Sequence, residues 1–367
     1  MTRARPWREE RGAAVAGRRA LFVFIDGVGL GPADPDVNPL ARADLPALAA
    51  LLDGRAPVLE AAPYHGRAAS MVGLDATLGV PGLPQSGTGQ AALLTGCNAA
   101  ELFGRHFGPW TPTALRPLVE RESILARARA AGLAVAFANA YPEELVDAID
   151  AALAGDAEED DEPRRGEERV GDAEASARAE GAAPGRARRR SRPRLPLPAR
   201  IGPPLAARAA GLLTRHTAAL LRGDAVASEI TNDAWRERLG RLELPVITAA
   251  GAGRNLARIA AAHDLTFFAH YATDTAGHRG GMAAALAALE RVDAFLAGIL
   301  EDLPGDTLLL VASDHGNLED TRTGHTRNPA LCVVAGPGHE RVAARLRALT
   351  DVAPALLGWL GVVGSAA

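Results

Sequence analysis

Carboxylate and imidazole side chains follow three apolar segments of this 367-residue sequence, each at the point where the segment ends. Apolar runs of this length are typical of buried strands, and the carboxyl ends of parallel strands meet at one edge of a sheet, where ligands bind. The residues that we expect at this edge are Asp26 after LFVFI, Asp274 and His278 after LTFFAHY, Asp314 and His315 after DTLLLVAS, and His325 ahead of the apolar run that begins at Leu331.

Three aspartates and three histidines in one place indicate a metal centre. Mixed carboxylate and imidazole ligands suit Zn²⁺ or Mn²⁺, and six are too many for one catalytic ion that keeps a position open. They suit two divalent ions roughly 4 Å apart. Taken singly, Asp26 also fits a turn aspartate, Asp274 a turn cap and His278 a surface histidine. Asp314 followed by His315 is the most informative pair, because two ionisable groups at the end of a buried strand need a partner.

Ser86 is the candidate nucleophile. It lies in the glycine-rich sequence QSGTGQ, where a helix of small residues is predicted to begin. The N-terminus of a helix presents unpaired N–H groups and a positive dipole end, which favour both an alkoxide and a bound phosphate. Contact with a metal ion would lower the pKa of the hydroxyl further. The simpler explanation is that Ser86 caps the helix, and Thr88 is the second candidate nucleophile.

Strands alternate with helices along the chain, which predicts an α/β fold with a mostly parallel sheet and helices on both faces. The predicted strands cover residues 21–25, 133–138, 265–271, 306–313 and 331–335. The predicted helices cover residues 45–52, 87–96, 123–131, 204–221, 233–239, 282–300 and 353–360. The sequence TDTAGHRGG, which carries Asp274 and His278, is predicted to be a loop.

Two segments have compositions that argue against a packed core. Residues 1–19 resemble an arginine-rich disordered leader, and residues 155–200 have almost no large apolar side chains. Such a segment buries too little surface to offset its ordering entropy. We therefore predict a metalloenzyme core formed by residues 20–140 and 246–367, and an insertion or small cap at residues 141–245 with a disordered portion at 155–200.

Bulk properties exclude several protein classes. The sequence has no apolar signal at its start and no run near the roughly 20 apolar residues of a membrane span. Its two cysteines, Cys97 and Cys332, are far apart, which fits a reducing compartment. We expect a cytoplasmic protein without a membrane partner. The net charge of -4 implies no global surface for polyanions.

Five segments together resemble the metalloenzyme domain of the alkaline phosphatase superfamily, in the branch that contains cofactor-independent phosphoglycerate mutase and phosphopentomutase. They occur in that family's order and fall within residues 20–110 and 265–362, which together make up about half of the chain. The segments are FIDGVGLG at 24–31, PQSGTGQAALLTG at 84–96, DTAGH at 274–278, SDHGNLED at 313–320 and HTRNP at 325–329.

The resemblance implies an alkaline phosphatase-like fold and a small phosphorylated substrate. It also implies that Ser86 is phosphorylated in a covalent intermediate and then regenerated by water or by a second acceptor. The implied ligands of one metal ion are Asp26, Ser86, Asp314 and His315, and those of the other are Asp274, His278 and His325.

The chain departs from the phosphoglycerate mutase pattern next to the nucleophile, where Gly87 and Gln90 replace an acidic residue and a histidine. The large second domain of that mutase has no recognisable counterpart. These departures argue against phosphoglycerate mutase activity itself and leave phosphatase and phosphomutase chemistry open, with the small insertion favouring hydrolysis. Arg105 and His106, shortly after the nucleophile helix, are candidate phosphate contacts.

Two other functions compete with phosphoryl transfer. The first is a non-enzymatic metal-binding regulatory protein that binds nucleic acid or acidic partners through the arginine-rich run at residues 186–194. It leaves the full ligand set unexplained, and a solvated loop explains the run more simply, so a nucleic-acid partner is disfavoured. The second is a sulfatase-like enzyme, which requires a proline and an arginine after the nucleophile that Ser86 lacks.

Overall fold

The computed structural model describes residues 17–154 and 196–362. The predicted leader lies outside the described residues up to position 16, and the predicted disordered segment lies outside them from 155 to 195, including the arginine-rich run. The strands are β1 (Arg19–Ile25), β2 (Tyr64–His65), β3 (Ala69–Leu74), β4 (Val135–Phe137), β5 (Leu265–His270), β6 (Thr307–Ala312) and β7 (Ala330–Ala335).

The helices flank these strands in sequence, as the predicted alternation requires. They are α1 (Pro46–Leu51), α2 (Ser86–Thr95), α3 (Ala99–Phe103), α4 (Arg116–Glu122), α5 (Ile124–Ala130), α6 (Glu143–Ala154), α7 (Gly202–Ala209), α8 (Thr217–Arg222), α9 (Asp233–Glu237), α10 (Ala249–Ala261), α11 (Ala272–Arg279), α12 (Gly281–Asp302), α13 (His339–Ala343) and α14 (Val352–Trp359). None of the helices in the described ranges is long and apolar enough to cross a membrane.

The strands form one sheet in the order β2-β3-β7-β6-β1-β5-β4. Strands β4, β5, β1 and β6 are parallel neighbours, whereas β7 is antiparallel to β6 and β3 is antiparallel to β7. Strand β7 runs the other way because it follows β6 with no crossover helix between them. The predicted α/β fold with a mostly parallel sheet is thus confirmed, with an antiparallel edge.

Helices cover both faces of the sheet, and the alternation of side chains along β1 shows how. Phe22 and Phe24 pack with α2, α4, α5, α7 and α14 on one face. Leu21 and Val23 point the other way and pack with α1, α10 and α12. Because both faces are buried, the central strands are continuous apolar runs rather than alternating ones, which is why the sequence marked them clearly.

Two predicted elements differ from the structure. The segment predicted as a loop around Asp274 is helix α11, which places Asp274 and His278 one turn apart on the same helical face. The helix predicted at 204–221 is two helices, α7 and α8, separated by a turn in which Gly211 has a φ of +66°. Glycine tolerates this left-handed backbone, and the apolar periodicity alone concealed the break.

The structure also differs from the prediction at the ends of the two segments that were predicted to be disordered. Arg19 begins β1, and the preceding Arg18 lies over the Trp359 ring at 4.8 Å. At the other boundary, Arg200 is buried with its guanidinium 3.5 Å from the centre of the Trp110 ring. Stacking on an indole ring orders a cationic side chain. The prediction of disorder rested on low apolar content, which does not reveal such contacts. The wider division into core and cap stays a prediction.

Helices α10 and α12 approach so closely that their backbones touch at two glycines. A Cβ atom on Gly298 would lie 1.9 Å from the carbonyl oxygen of Ala250, and one on Gly253 would lie 2.1 Å from that of Phe295. Neither distance is compatible with a side chain. The two glycines therefore set the spacing of the helices that cover this face of the sheet.

We predict that Gly298→Ala lowers the free energy of unfolding by about 1–3 kcal/mol, because the new methyl group forces the helices apart. Gly358→Ala in α14 is the matched control, since a Cβ atom there meets nothing within 4 Å. It is expected to raise stability by about 0.5–1 kcal/mol through helix propensity. Urea unfolding measures both, and equal effects of the two substitutions would contradict the close-packing explanation.

A buried histidine at the end of β5 makes stability depend on pH. Burial lowers the pKa of His270 from 6.5 to about 4, and its Nδ1–H donates to the Ser228 carbonyl at 2.7 Å. The unfolded chain binds a proton below about pH 6.5, whereas the folded chain resists protonation down to about pH 4. The contribution of neutral His270 to the free energy of unfolding is therefore complete above pH 6.5. It is lost progressively as the pH falls from 6.5 to about 4.

We predict that His270→Gln, which keeps a donor for Ser228 but does not titrate, removes up to about 3 kcal/mol of this acid sensitivity. The check is urea unfolding of metal-free wild type and variant at about pH 7, 5.5 and 4, which span this window. The stability difference between them should change steadily over this range in favour of the variant. Parallel curves would show that His270 does not contribute.

Candidate active site

All seven side chains expected in the site lie together at the carboxyl edge of the central strands. They come from four places in the fold: the turn after β1, the first residue of α2, helix α11, and the connection between β6 and β7. The residues are Asp26, Ser86, Asp274, His278, Asp314, His315 and His325.

The first half of the site is arranged around the imidazole of His315. Its Nε2 atom lies 2.9 Å from Ser86 Oγ, 3.4 Å from Asp26 Oδ1 and 3.8 Å from Asp314 Oδ2. All four side chains are buried. Asp26, Asp314 and His315 offer ligand atoms close enough together to hold one cation.

The second half surrounds Asp274. Its Oδ2 atom lies 3.5 Å from His278 Nε2, and its Oδ1 atom lies 3.7 Å from His325 Nε2. The Nε2 atoms of the two histidines are 3.0 Å apart. The halves adjoin, because the His315 and His325 ring centres are 4.1 Å apart. Asp274, His315 and His325 also form a group that could hold a cation, so His315 lies at the junction of the two halves.

Backbone carbonyls orient two of the imidazoles. His325 Nδ1 lies 2.8 Å from the Pro84 carbonyl, and His315 Nδ1 lies 3.3 Å from the Gly316 carbonyl. A carbonyl can only accept a hydrogen bond, so both Nδ1 atoms carry the proton. The Nε2 atoms therefore face the middle of the site, in the orientation that metal-ligating histidines adopt.

The site concentrates negative charge away from water. Burial raises the pKa of Asp26 well above its usual value, and the charges of Asp314 and Asp274 raise it further. Burial likewise raises the pKa of Asp314. Burial alone would lower the pKa of His315, but the nearby carboxylates, above all Asp314, raise it to about 10. Burial and the charge of His315 lower the pKa of His325 to about 3. The carboxylates thus require a cationic partner.

The donor set fits divalent cations. Asp26 Oδ1 and Asp314 Oδ2 are buried and accept no hydrogen bond within the described residues. A buried carboxylate oxygen without a donor is costly unless a cation is next to it. Oxygen and imidazole nitrogen together are the ligands that Mn²⁺ and Zn²⁺ accept. The geometry and the chemistry therefore agree on a cation site.

Ser86 is not the helix cap that its sequence context also allowed. Gln85 is the N-cap residue of α2, and its side chain makes no capping hydrogen bond. Ser86 is the first helical residue, with its hydroxyl directed to His315. Thr88, the other candidate nucleophile, is turned away, because its hydroxyl contacts the Phe107 carbonyl and accepts the Phe107 N–H.

Two predicted phosphate contacts have other partners. The guanidinium of Arg105 lies 5.5 Å from the ring centres of Phe103 and Phe107, and His106 Nε2 is 3.2 Å from the Val80 carbonyl. Neither contact involves a residue of the site.

Two amide side chains, which the sequence pattern did not indicate as part of the site, contact the carboxylates. Gln90 Nε2 donates to Asp26 Oδ2 at 3.1 Å, while Gln90 Oε1 accepts the Gly202 N–H at 3.3 Å. Asn317 Nδ2 donates to Asp274 Oδ1 at 2.6 Å. Gln90 lies one helical turn after Ser86, which was the available signal, since residues four apart share a helix face.

Comparisons with known proteins show similarity to metalloenzymes. A family model described as the Metalloenzyme superfamily matches residues 247–362. The chain is 43% identical over 97 residues to the 2,3-bisphosphoglycerate-independent phosphoglycerate mutase of Chloroflexus aggregans, an alignment that covers 23% of this chain and 18% of that protein. It is 33% identical over 130 residues to the enzyme of the same name from Syntrophotalea carbinolica, covering 33% and 24%.

The chain thus matches less than a quarter of the length of these curated relatives. Among solved structures, the PH0037 protein from Pyrococcus horikoshii aligns over 96% of this chain and 99% of its own, with a TM-score of 0.51 and 15% identity, which shows a shared fold. The match to the Metalloenzyme superfamily model over residues 247–362 and the similarity to the phosphoglycerate mutases confirm the predicted resemblance to the metalloenzyme domain of the alkaline phosphatase superfamily.

Proposed function

We propose that this protein is a metal-dependent phosphoryl-transfer enzyme of the phosphatase or phosphomutase type, with Ser86 as its nucleophile. The observation that carries the proposal is the position of the Ser86 hydroxyl. It lies at the first residue of a ten-residue helix and 2.9 Å from His315, beside both clusters of carboxylates and imidazoles. The relatives named as phosphoglycerate mutases support the same class of chemistry.

Two divalent ions, Mn²⁺ or Zn²⁺, would be held by the seven side chains. Asp26, Ser86, Asp314 and His315 would hold one ion. Asp274, His278 and His325 would hold the other. When bound, such ions neutralise charge on the serine oxygen and on the phosphoryl oxygens.

The chain itself contributes position and charge. The positive end of the α2 dipole falls at Ser86, where negative charge develops on the oxygen during attack. In the first step Ser86 Oγ bonds to phosphorus as the bond from phosphorus to the leaving oxygen breaks. In the second step the Oγ–phosphorus bond breaks as water or an acceptor hydroxyl attacks, which restores the serine. Water gives a phosphatase, and an acceptor hydroxyl gives a phosphomutase.

The substrate is proposed to be a small phosphorylated molecule, and hydrolysis is the favoured outcome. A mutase must exclude water while the phosphoserine waits for its acceptor, which calls for a substantial cap. The predicted cap at residues 141–245 is small, which favours hydrolysis. A cytoplasmic location remains a prediction.

We predict that Ser86→Ala lowers the hydrolysis of p-nitrophenyl phosphate, measured with added Mn²⁺ or Zn²⁺, by at least about 10³-fold. Acid-quenched wild type should carry one phosphoryl group on the peptide that contains Ser86, detected by mass spectrometry. Thr88→Val is the matched control and should keep most of the activity, because the Thr88 hydroxyl is turned away from the site. Full activity in Ser86→Ala would refute the nucleophile.

We also predict that Asp314→Asn reduces the metal content of the purified protein, because it removes a buried anionic oxygen from the site. Elemental analysis after dialysis against Mn²⁺ or Zn²⁺ should give two ions per chain for wild type and fewer for the variant. Asp320→Asn makes the same chemical change six residues away, where the carboxylate pairs with Arg322 at 2.8 Å, and should leave the content unchanged. Equal metal content in all three proteins would contradict the assignment.

A further inference from the structure

Glu319 is a fully buried carboxylate whose hydrogen-bond partners among the described residues are not proposed metal ligands, and it has no role in the reaction steps above. Its two oxygens nevertheless accept four hydrogen bonds. Oε2 accepts the Gly29 N–H at 2.9 Å and the Asn317 N–H at 2.8 Å. Oε1 accepts from Thr326 Oγ1 and from Asn328 Nδ2, the latter at 3.1 Å.

These four donors belong to three loop segments: the turn after β1 and two separate parts of the single connection between β6 and β7. Gly29 follows Asp26 in the turn after β1, Asn317 follows Asp314 and His315 after β6, and Thr326 directly follows His325. Each loop therefore carries one or two of the proposed metal ligands. A single carboxylate fixes the distances between the three loops.

The backbone around Glu319 is shaped to admit it. A Cβ atom on Gly29 would lie 2.5 Å from Glu319 Cδ, one on Gly31 would lie 2.8 Å from the Glu319 carbonyl oxygen, and one on Gly316 would lie 2.2 Å from Glu319 Oε1. These contacts give a reason for three glycines in the segments FIDGVGLG and SDHGNLED. The glycines leave room for the carboxylate to reach between the loops.

Only a carboxylate satisfies all four donors, because both of its oxygens are acceptors. No cationic side chain of the described residues forms an ion pair with Glu319. Its charge is therefore dispersed over hydrogen bonds alone, which are stronger than bonds to a neutral acceptor. An amide in the same place would offer one acceptor and one donor, and would oppose the donors on one side.

We propose that Glu319 is a positioning residue, whose buried carboxylate holds the three ligand-bearing loops at the spacing that divalent cations require. This inference rests on the proposed metal centre. It adds that affinity for the cation depends on a residue that the cation does not touch. Partners behind metal ligands commonly contribute about 10–100-fold to affinity or activity.

The test is calorimetric titration of metal-stripped protein with Mn²⁺. Glu319→Gln should weaken binding by about 10–100-fold. Glu60→Gln is the matched control, because the Glu60 carboxylate accepts one backbone N–H, from Ala33 at 2.9 Å, at an exposed position in the same region. It should bind Mn²⁺ as wild type does. Unchanged affinity in Glu319→Gln would overturn the proposal.

A second measurement needs no metal. Hydrogen exchange of the metal-free protein should be faster in Glu319→Gln than in wild type for peptides covering residues 28–32 and 324–329, and unchanged for β1 and β6. If wild type binds no Mn²⁺, the proposed function fails. The exchange measurement still tests whether Glu319 restrains the loop segments. Equal exchange in both proteins would overturn the positioning role.

The double variant Glu319→Gln with Asn328→Asp separates positioning from folding. The new carboxylate at position 328 can accept from the new amide at position 319, so both Gly29 and Asn317 can again donate to one oxygen. We expect the double variant to bind Mn²⁺ with most of the affinity of wild type. This expectation also holds if the single variant Glu319→Gln does not fold. If both variants lose the fold, Glu319 is a determinant of folding, and the proposal is overturned.

Discussion

Repulsion between buried carboxylates is the constraint on which the rest of this structure depends. The charges of Asp314 and Asp274 raise the pKa of Asp26, and the charge of Asp274 raises that of Asp314. All three carboxylates are buried, which limits screening by solvent. Such an arrangement costs several kcal/mol per ion unless positive charge is present. His315 supplies this positive charge, because its pKa of about 10 makes it a cation when no metal is bound. A divalent ion can replace that proton.

The fold tolerates this repulsion because the ligands are attached to rigid elements. Strands β1, β5 and β6 are buried on both faces, so the residues that follow them have little freedom. Gly27 has a φ of +68°, and a Cβ atom there would lie 2.4 Å from Asp274 Oδ1. Only glycine allows the turn after β1 to pass so near this carboxylate. Gln90 and Asn317 then each supply a donor that holds a carboxylate in place.

Much of this arrangement was predictable from the sequence. The apolar runs before Asp26 and Asp314 marked central strands, and the placement of polar residues at their ends follows from parallel topology alone. Helix α11 was not predictable, because Gly277 and Gly280 lower helix propensity and only packing against Asn317 explains the first of them. Long-range contacts such as those of Gln90 and Glu319 depend on which loops meet, and local pattern does not contain that information.

The pairing of β6 with β7 has a consequence beyond the stability of the sheet. Leu309 lies opposite Ala335 and Ala312 lies opposite Cys332, and this alignment decides where His325, at the far end of the connection, meets Asp274. Sliding β7 by one two-residue repeat would move the chain by about 7 Å while keeping every apolar side chain on its own face. The alternation of apolar side chains alone does not distinguish the two alignments, yet the slip would carry the imidazole of His325 out of range of Asp274. The hydrogen bonds between β6 and β7 therefore fix the position of His325 relative to Asp274, which burial of apolar surface alone does not determine.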